Sequence, residues 1–102
     1  MTNNQCLYNH WIHSYEEDEH ASKVYRLSTY VFPPSFGRDA MEIRKSGEII
    51  FFFPGKDDKR MSVTGRFRII DSRKLDVNLN DRNFIIIILS CQRDRLMIQE
   101  NR

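Results

Sequence analysis

The second half of the chain beats in twos. Ser62-Val63-Thr64-Gly65-Arg66-Phe67-Arg68-Ile69 alternates small or polar residues with apolar ones or Gly, and Lys74-Leu75-Asp76-Val77-Asn78-Leu79 repeats the rhythm. A period of two is the mark of a strand with one face buried and the other wet. The pattern predicts six strands, over residues 41–44, 48–53, 61–70, 74–79, 83–91 and 95–99. Ser46-Gly47 is a compact turn between the first two, since Gly accepts positive φ. Residues 54–59 form a longer polar loop, and Asp71-Ser72-Arg73, Asn80-Asp81-Arg82 and Gln92-Arg93-Asp94 close the later hairpins.

The first half is less regular. Residues 1–10 read as a loose lead-in, and residues 11–15 and 23–27 as two further strands. Pro33 and Pro34 stand side by side and exclude helix and central strand, so residues 30–38 are an ordered loop. Eight strands in a row must hide their edges and one face. The expected fold is all-β: a single domain, 1–102, forming a small antiparallel up-and-down β-barrel, wide enough for side chains or one small ligand.

Two strands break the alternation. Ile49-Ile50-Phe51-Phe52-Phe53 and Phe84-Ile85-Ile86-Ile87-Ile88-Leu89 are apolar on both faces. The outer wall of a water-exposed barrel is polar, so something is expected to cover them: the N-terminal segment, or a second subunit in a symmetric homodimer.

Composition narrows the partners. The chain has 102 residues, is 40% hydrophobic and 29% charged, and carries a formal net charge of +2. That excess is too small, and its bases too interleaved with acids, to argue for nucleic acid. Charge is nonetheless uneven. Residues 1–22 hold four acids (Glu16, Glu17, Asp18, Glu19) and neither Lys nor Arg, so the acidic stretch is expected to lie on a basic surface of its own barrel. No leader peptide or bilayer-length apolar run is visible, so no membrane partner and a cytoplasmic location are expected. Cys6 and Cys91 suit a reducing cytosol, and a disulfide between them stays open.

Three stretches carry a resemblance: Trp11-Ile12-His13-Ser14-Tyr15-Glu16-Glu17-Asp18, then Val24-Tyr25-Arg26, then Phe32-Pro33-Pro34-Ser35-Phe36-Gly37-Arg38-Asp39. They resemble small uncharacterised bacterial proteins that share a Trp-x-His-Ser-x-Glu-Glu-Asp opening and a Pro-Pro-Ser-Arg-Gly-Arg loop. The later hairpins look lipocalin-like, a small calycin barrel. The resemblance implies the barrel and leaves the activity open.

The acidic opening is the main candidate for chemistry. His13, Glu16, Glu17 and His20 are spaced to share one face of a helix, where imidazole and carboxylate suit a transition metal. On a strand the spacing scatters them. A second reading pairs His13 with Glu17 as acid and base, but no nucleophile elbow accompanies them. The favoured reading is structural: Ser14, Glu16, Glu17 and Asp18 pin the exit of the first strand, with Arg26 and Arg38 as bidentate partners. No cofactor is expected.

Trp11 reads as a core plug on which Arg93 or Arg95 could stack. Tyr30, Phe32 and Phe36 seal one barrel end or roof a ligand mouth. The leading expectation is a non-enzymatic binding or interaction module, with an apolar ligand touching Trp11, Tyr25, Phe32, Phe36, Phe51 and Phe67. The alternatives are a metal-dependent or acid/base enzyme built on the His13 cluster, and a structural homodimer without ligand.

Overall fold

In the computed structural model, which describes residues 4–35, 37–55 and 59–101, eight antiparallel strands close into a barrel. They are β1 (His10–His13), β2 (Ser22–Arg26), β3 (Ala40–Ile43), β4 (Glu48–Pro54), β5 (Arg60–Asp71), β6 (Lys74–Leu79), β7 (Arg82–Cys91) and β8 (Arg95–Asn101). All eight expected strands are present. The first is shorter than the pattern suggested, because Tyr15–Glu17 winds into a single 3-10 turn. Closure gives every strand two neighbours, although β5 pairs with β4 along residues 60–66 and with β6 from residue 66 onward.

β3 to β8 run as a plain meander, each strand bonded to the next. The β1–β2 hairpin completes the ring with β1 beside β3 and β2 beside β8. The connection from β2 to β3 must therefore cross β1, and that crossing segment carries the double proline.

Register decides which side chains fill the interior. Trp11 pairs with Met41, Met41 with Phe51, Phe67 with Val77, and Val77 with Phe84. All of them face inward, and Trp11, Met41 and Val77 are fully buried. Gly65 also faces in. A Cβ there would lie 2.6 Å from the Asn78 carbonyl oxygen and would overlap the Leu79 side chain, so only glycine lets β5 and β6 close at that height. Gly47 holds φ of +99° in the Ser46-Gly47 turn, as expected.

The doubly apolar strands resolve by the same parity. Ile49 and Phe51 point in, while Ile50 and Phe52 point out. Phe52 is covered within the chain, flanked by the His10 ring at 5.2 Å and the Arg60 guanidinium at 5.4 Å. On β7, Phe84, Ile86 and Ile88 point in; Ile85, Ile87 and Leu89 point out, and Leu89 is 40% exposed. Of the expected N-terminal cover, His10 supplies the part that lies over Phe52. The residues before it, 4–9, plug one end of the barrel. Asn4–Leu7 forms a 3-10 turn, Leu7 is buried, and Trp11 Nε1 donates to the Leu7 carbonyl at 3.0 Å. The expected loose lead-in is thus packed structure from residue 4 onward. A disulfide between Cys6 and Cys91, with Cα atoms 6.2 Å apart, ties the plug to the end of β7, and decides the question that spacing alone left open.

Candidate functional site

The two ends of the barrel are built differently. Leu7, Trp11 and the disulfide close the end where β1 begins. At the opposite end, where β1 and β4 finish and β7 starts, a cavity of about 410 Å³ opens. Tyr25, Phe51, Val63 and Leu79 supply its apolar lining, and Lys23, Asp39, Asp81, Arg82 and Glu100 its charged groups. Strand parity explains why. Lys23 pairs with Ile98, and Glu100 with Ile86, and both partners are core residues. Their own positions are inward too, each one inward step nearer the opening than Tyr25 and Ile98 on the same strands. Lys23 Nζ donates to Glu100 Oε1 at 3.3 Å, satisfying a carboxylate whose side chain is only 10% exposed.

Beside this mouth, the residues of the Trp-x-His-Ser-x-Glu-Glu-Asp stretch and the proline loop come together as one clasp. Both arginines bind as expected. Arg26 makes two bonds to Glu17, Nε to Oε2 at 2.9 Å and Nη2 to Oε1 at 2.8 Å. Arg38 makes two to Glu16, at 2.7 and 2.6 Å, and also donates to the carbonyls of His13 and Pro33. Its guanidinium lies between the rings of Tyr15 and Phe32, 4.6 and 4.7 Å from their centroids. Ser14 donates to Glu17 Oε2 at 2.8 Å, and Tyr15 donates to Ser35 at 2.7 Å. The Arg26 side-chain bond, the largest influence, pulls the Glu17 carboxyl from 4.5 to about 2; Ser14 adds to this against the cost of burial.

His13 sits at the heart of the clasp, 8% exposed and stacked on Tyr25 at 4.9 Å. Its Nδ1 lies 2.7 Å from Asp39 Oδ1 and its Nε2 lies 2.9 Å from Asp18 Oδ2, and an ionised carboxylate only accepts. The protonated ring, with an N–H on each side, is the form that satisfies both contacts. Burial is the strongest single influence on this ring and opposes the charge. The two carboxylates together outweigh it, so the pKa rises above 6.5. Asp39 is held below its ordinary 3.8: burial, its largest influence, pushes up, and the His13 bond and charge more than reverse it. Asp18 Oδ1 also accepts the backbone N–H of Val24 at 2.9 Å.

Several expectations are corrected by this geometry. His13 pairs with Asp39 and Asp18, not with Glu17, which faces outward to Arg26. The metal alternative fails to assemble: a strand followed by a 3-10 turn splits His13 from Glu16 and Glu17, both carboxylates are held by arginines, and His20 lies on the following turn with φ of +48°. Among the described residues no group of three His, Cys, Asp or Glu is placed to hold a metal ion.

The six expected ligand contacts also separate. Tyr25 and Phe51 line the mouth. Trp11 is fully buried at the sealed end, where its indole N–H is taken by Leu7 and no Arg stacks on it among the described residues. Phe67 is an inward core residue away from the cavity lining. Phe32 packs in the clasp, edge-on to Tyr30 at 4.9 Å, rather than sealing a barrel end. Phe36 lies outside the described residues. Sequence reasoning missed Asp39, Lys23, Arg82 and Glu100. Asp39 ended the proline-loop stretch and could have been found as its carboxylate; the other three carry no local signal, since charged residues at strand ends look like ordinary surface.

Comparison of the chain with family models, curated proteins and solved structures finds no match. Among the described residues no helix is long and apolar enough to cross a membrane.

Proposed function

We propose that the protein is a non-enzymatic binding module, a lipocalin-like cup that takes one small, largely apolar molecule through the open end of its barrel. One observation carries this reading. The interior is solid at one end and opens at the other into about 410 Å³ with an aromatic and aliphatic wall, within the range of small-molecule sites. His13 supports binding rather than proton transfer, because both ring nitrogens are committed to carboxylates. The clasp, in this reading, holds β1, β2 and the lead-in to β3 in place around the mouth.

The test is titration with a neutral fluorescent probe, N-phenyl-1-naphthylamine. One saturable site is expected, and Val63→Trp, which fills the apolar wall, is expected to abolish it while leaving the melting temperature within a few degrees. A failure of the probe to bind, or binding indifferent to Val63→Trp, would overturn the reading.

A homodimer is a second proposal, supported by the outward stripe of Ile85, Ile87 and Leu89 on β7. Light scattering that gives a monomer mass for the native chain removes it. The Cys6–Cys91 disulfide weighs against the cytoplasmic setting expected from the sequence, since such bonds persist in oxidising compartments.

A further inference from the structure

We infer that the molecule bound in the mouth is an amphipathic anion, a small hydrophobic carboxylate whose head is taken by Arg82 with help from Lys23. The inference rests on the binding reading above and adds the charge of the ligand to it.

The opening is two-sided. Following the strands around the ring, β4, β5 and β6 present Phe51, Val63 and Leu79, while β7, β8 and β2 present Arg82, Glu100 and Lys23. An apolar wall thus stands across from a charged one, and a ligand lying between them meets hydrocarbon on one side and ions on the other.

The sign follows from how those ions are already paired. Glu100 is nearly buried and is answered by Lys23 at 3.3 Å. Asp39 has Oδ1 bonded to the doubly clamped His13 at 2.7 Å. Two of the three carboxylates at the mouth therefore have cations built against them. The third, Asp81, lies on the exposed β6–β7 turn before β7 begins, outside the strand alternation that turns Arg82 towards the opening.

The cations are less committed. Arg82 pairs in register with the inward Leu79, so its position faces the opening. Its side chain is exposed and makes no ion pair among the described residues. Lys23 spends one of three ammonium donors on Glu100 and keeps 39% of its side chain exposed. A guanidinium with free donors beside an apolar wall matches a carboxylate attached to a hydrocarbon body, because it can take both oxygens at once.

Calorimetry at pH 7 with three ligands of one length tests this: nonanoate, nonanol and nonylamine. Nonanoate is expected to bind about tenfold tighter than nonanol, with nonylamine the weakest. Arg82→Gln is expected to remove most of the nonanoate advantage while nonanol binding stays within about twofold. Arg82 is exposed at a strand end, so the variant is expected to fold, and an unchanged melting temperature checks that. Equal affinities for the three ligands, a preference for the amine, or an Arg82→Gln variant that keeps the full nonanoate preference would each overturn the inference. If N-phenyl-1-naphthylamine binds and the three ligands do not differ, only the charge assignment falls. If neither the probe nor any of the three binds, the binding reading falls with it.

Discussion

The two ends of this barrel use the same inward positions for opposite purposes. At the closed end they hold Leu7, Trp11 and a disulfide, and Trp11 and Leu7 bury almost completely. At the open end the equivalent positions hold Lys23, Arg82 and Glu100, with the clamped His13 beside them. An interior position one step from the rim is still inside by parity, yet near enough to water for a charge to stay solvated or find a partner. The difference teaches that pointing inward and being apolar are separate properties. Depth along the strand decides whether they coincide.

The largest blow to the contrast comes from emptying the plug. Trp11→Ala removes a fully buried indole and is expected to cost about 3–5 kcal/mol in urea unfolding. A loss below about 1 kcal/mol would mean that this end is not packed as described. Next comes the staple. Replacing Cys6 and Cys91 together by Ser opens a bond across 85 residues of chain and is expected to cost about 2–5 kcal/mol. Binding of the neutral probe at the far mouth should be unchanged within about twofold, because well-separated sites act independently. A matching loss of binding would show that the two ends are coupled.

The smallest effect lies in the pH dependence of the clasp. His13 has a folded pKa above 6.5, so its clamp contributes fully below about pH 6.5 and that contribution is lost as pH rises through the raised value. Glu17 has the opposite sign. Its folded pKa is lowered from 4.5 to about 2, so its contribution is present above 4.5 and lost as pH falls towards 2. Melting curves of the native protein between pH 6 and 9 are expected to fall more steeply than those of His13→Gln. Nitrogen-15 spectra at pH 6 should show protons on both imidazole nitrogens; a single protonated nitrogen there would rule out the two-carboxylate clamp.

Much of the clasp was legible residue by residue. Glu16, Glu17, Arg26 and Arg38 were readable as bidentate pairs because carboxylate and guanidinium have complementary geometry and the loop between them is ordered by Pro33 and Pro34. His13 was readable as important but not as the partner of Asp39, because 26 residues separate them and only the placement of β1 against β3 brings them together. Trp11 and Phe67 illustrate the reverse. Both were aromatic on strands and looked equally fit to touch a ligand, yet they lie in the packed interior away from the mouth lining.

The chain's own period of two, with turns at Ser46-Gly47, Ser72-Arg73 and Asn80-Asp81, determined the strands, the all-β class and which residues alternate inward, because pleat and turn chemistry are local. Tertiary structure alone decided that β1 lies between β2 and β3, that one end is plugged and the other open, and that Cys6 meets Cys91. Those depend on contacts between residues far apart in the chain, where the energy of closing the ring, rather than any neighbouring residue, selects the arrangement.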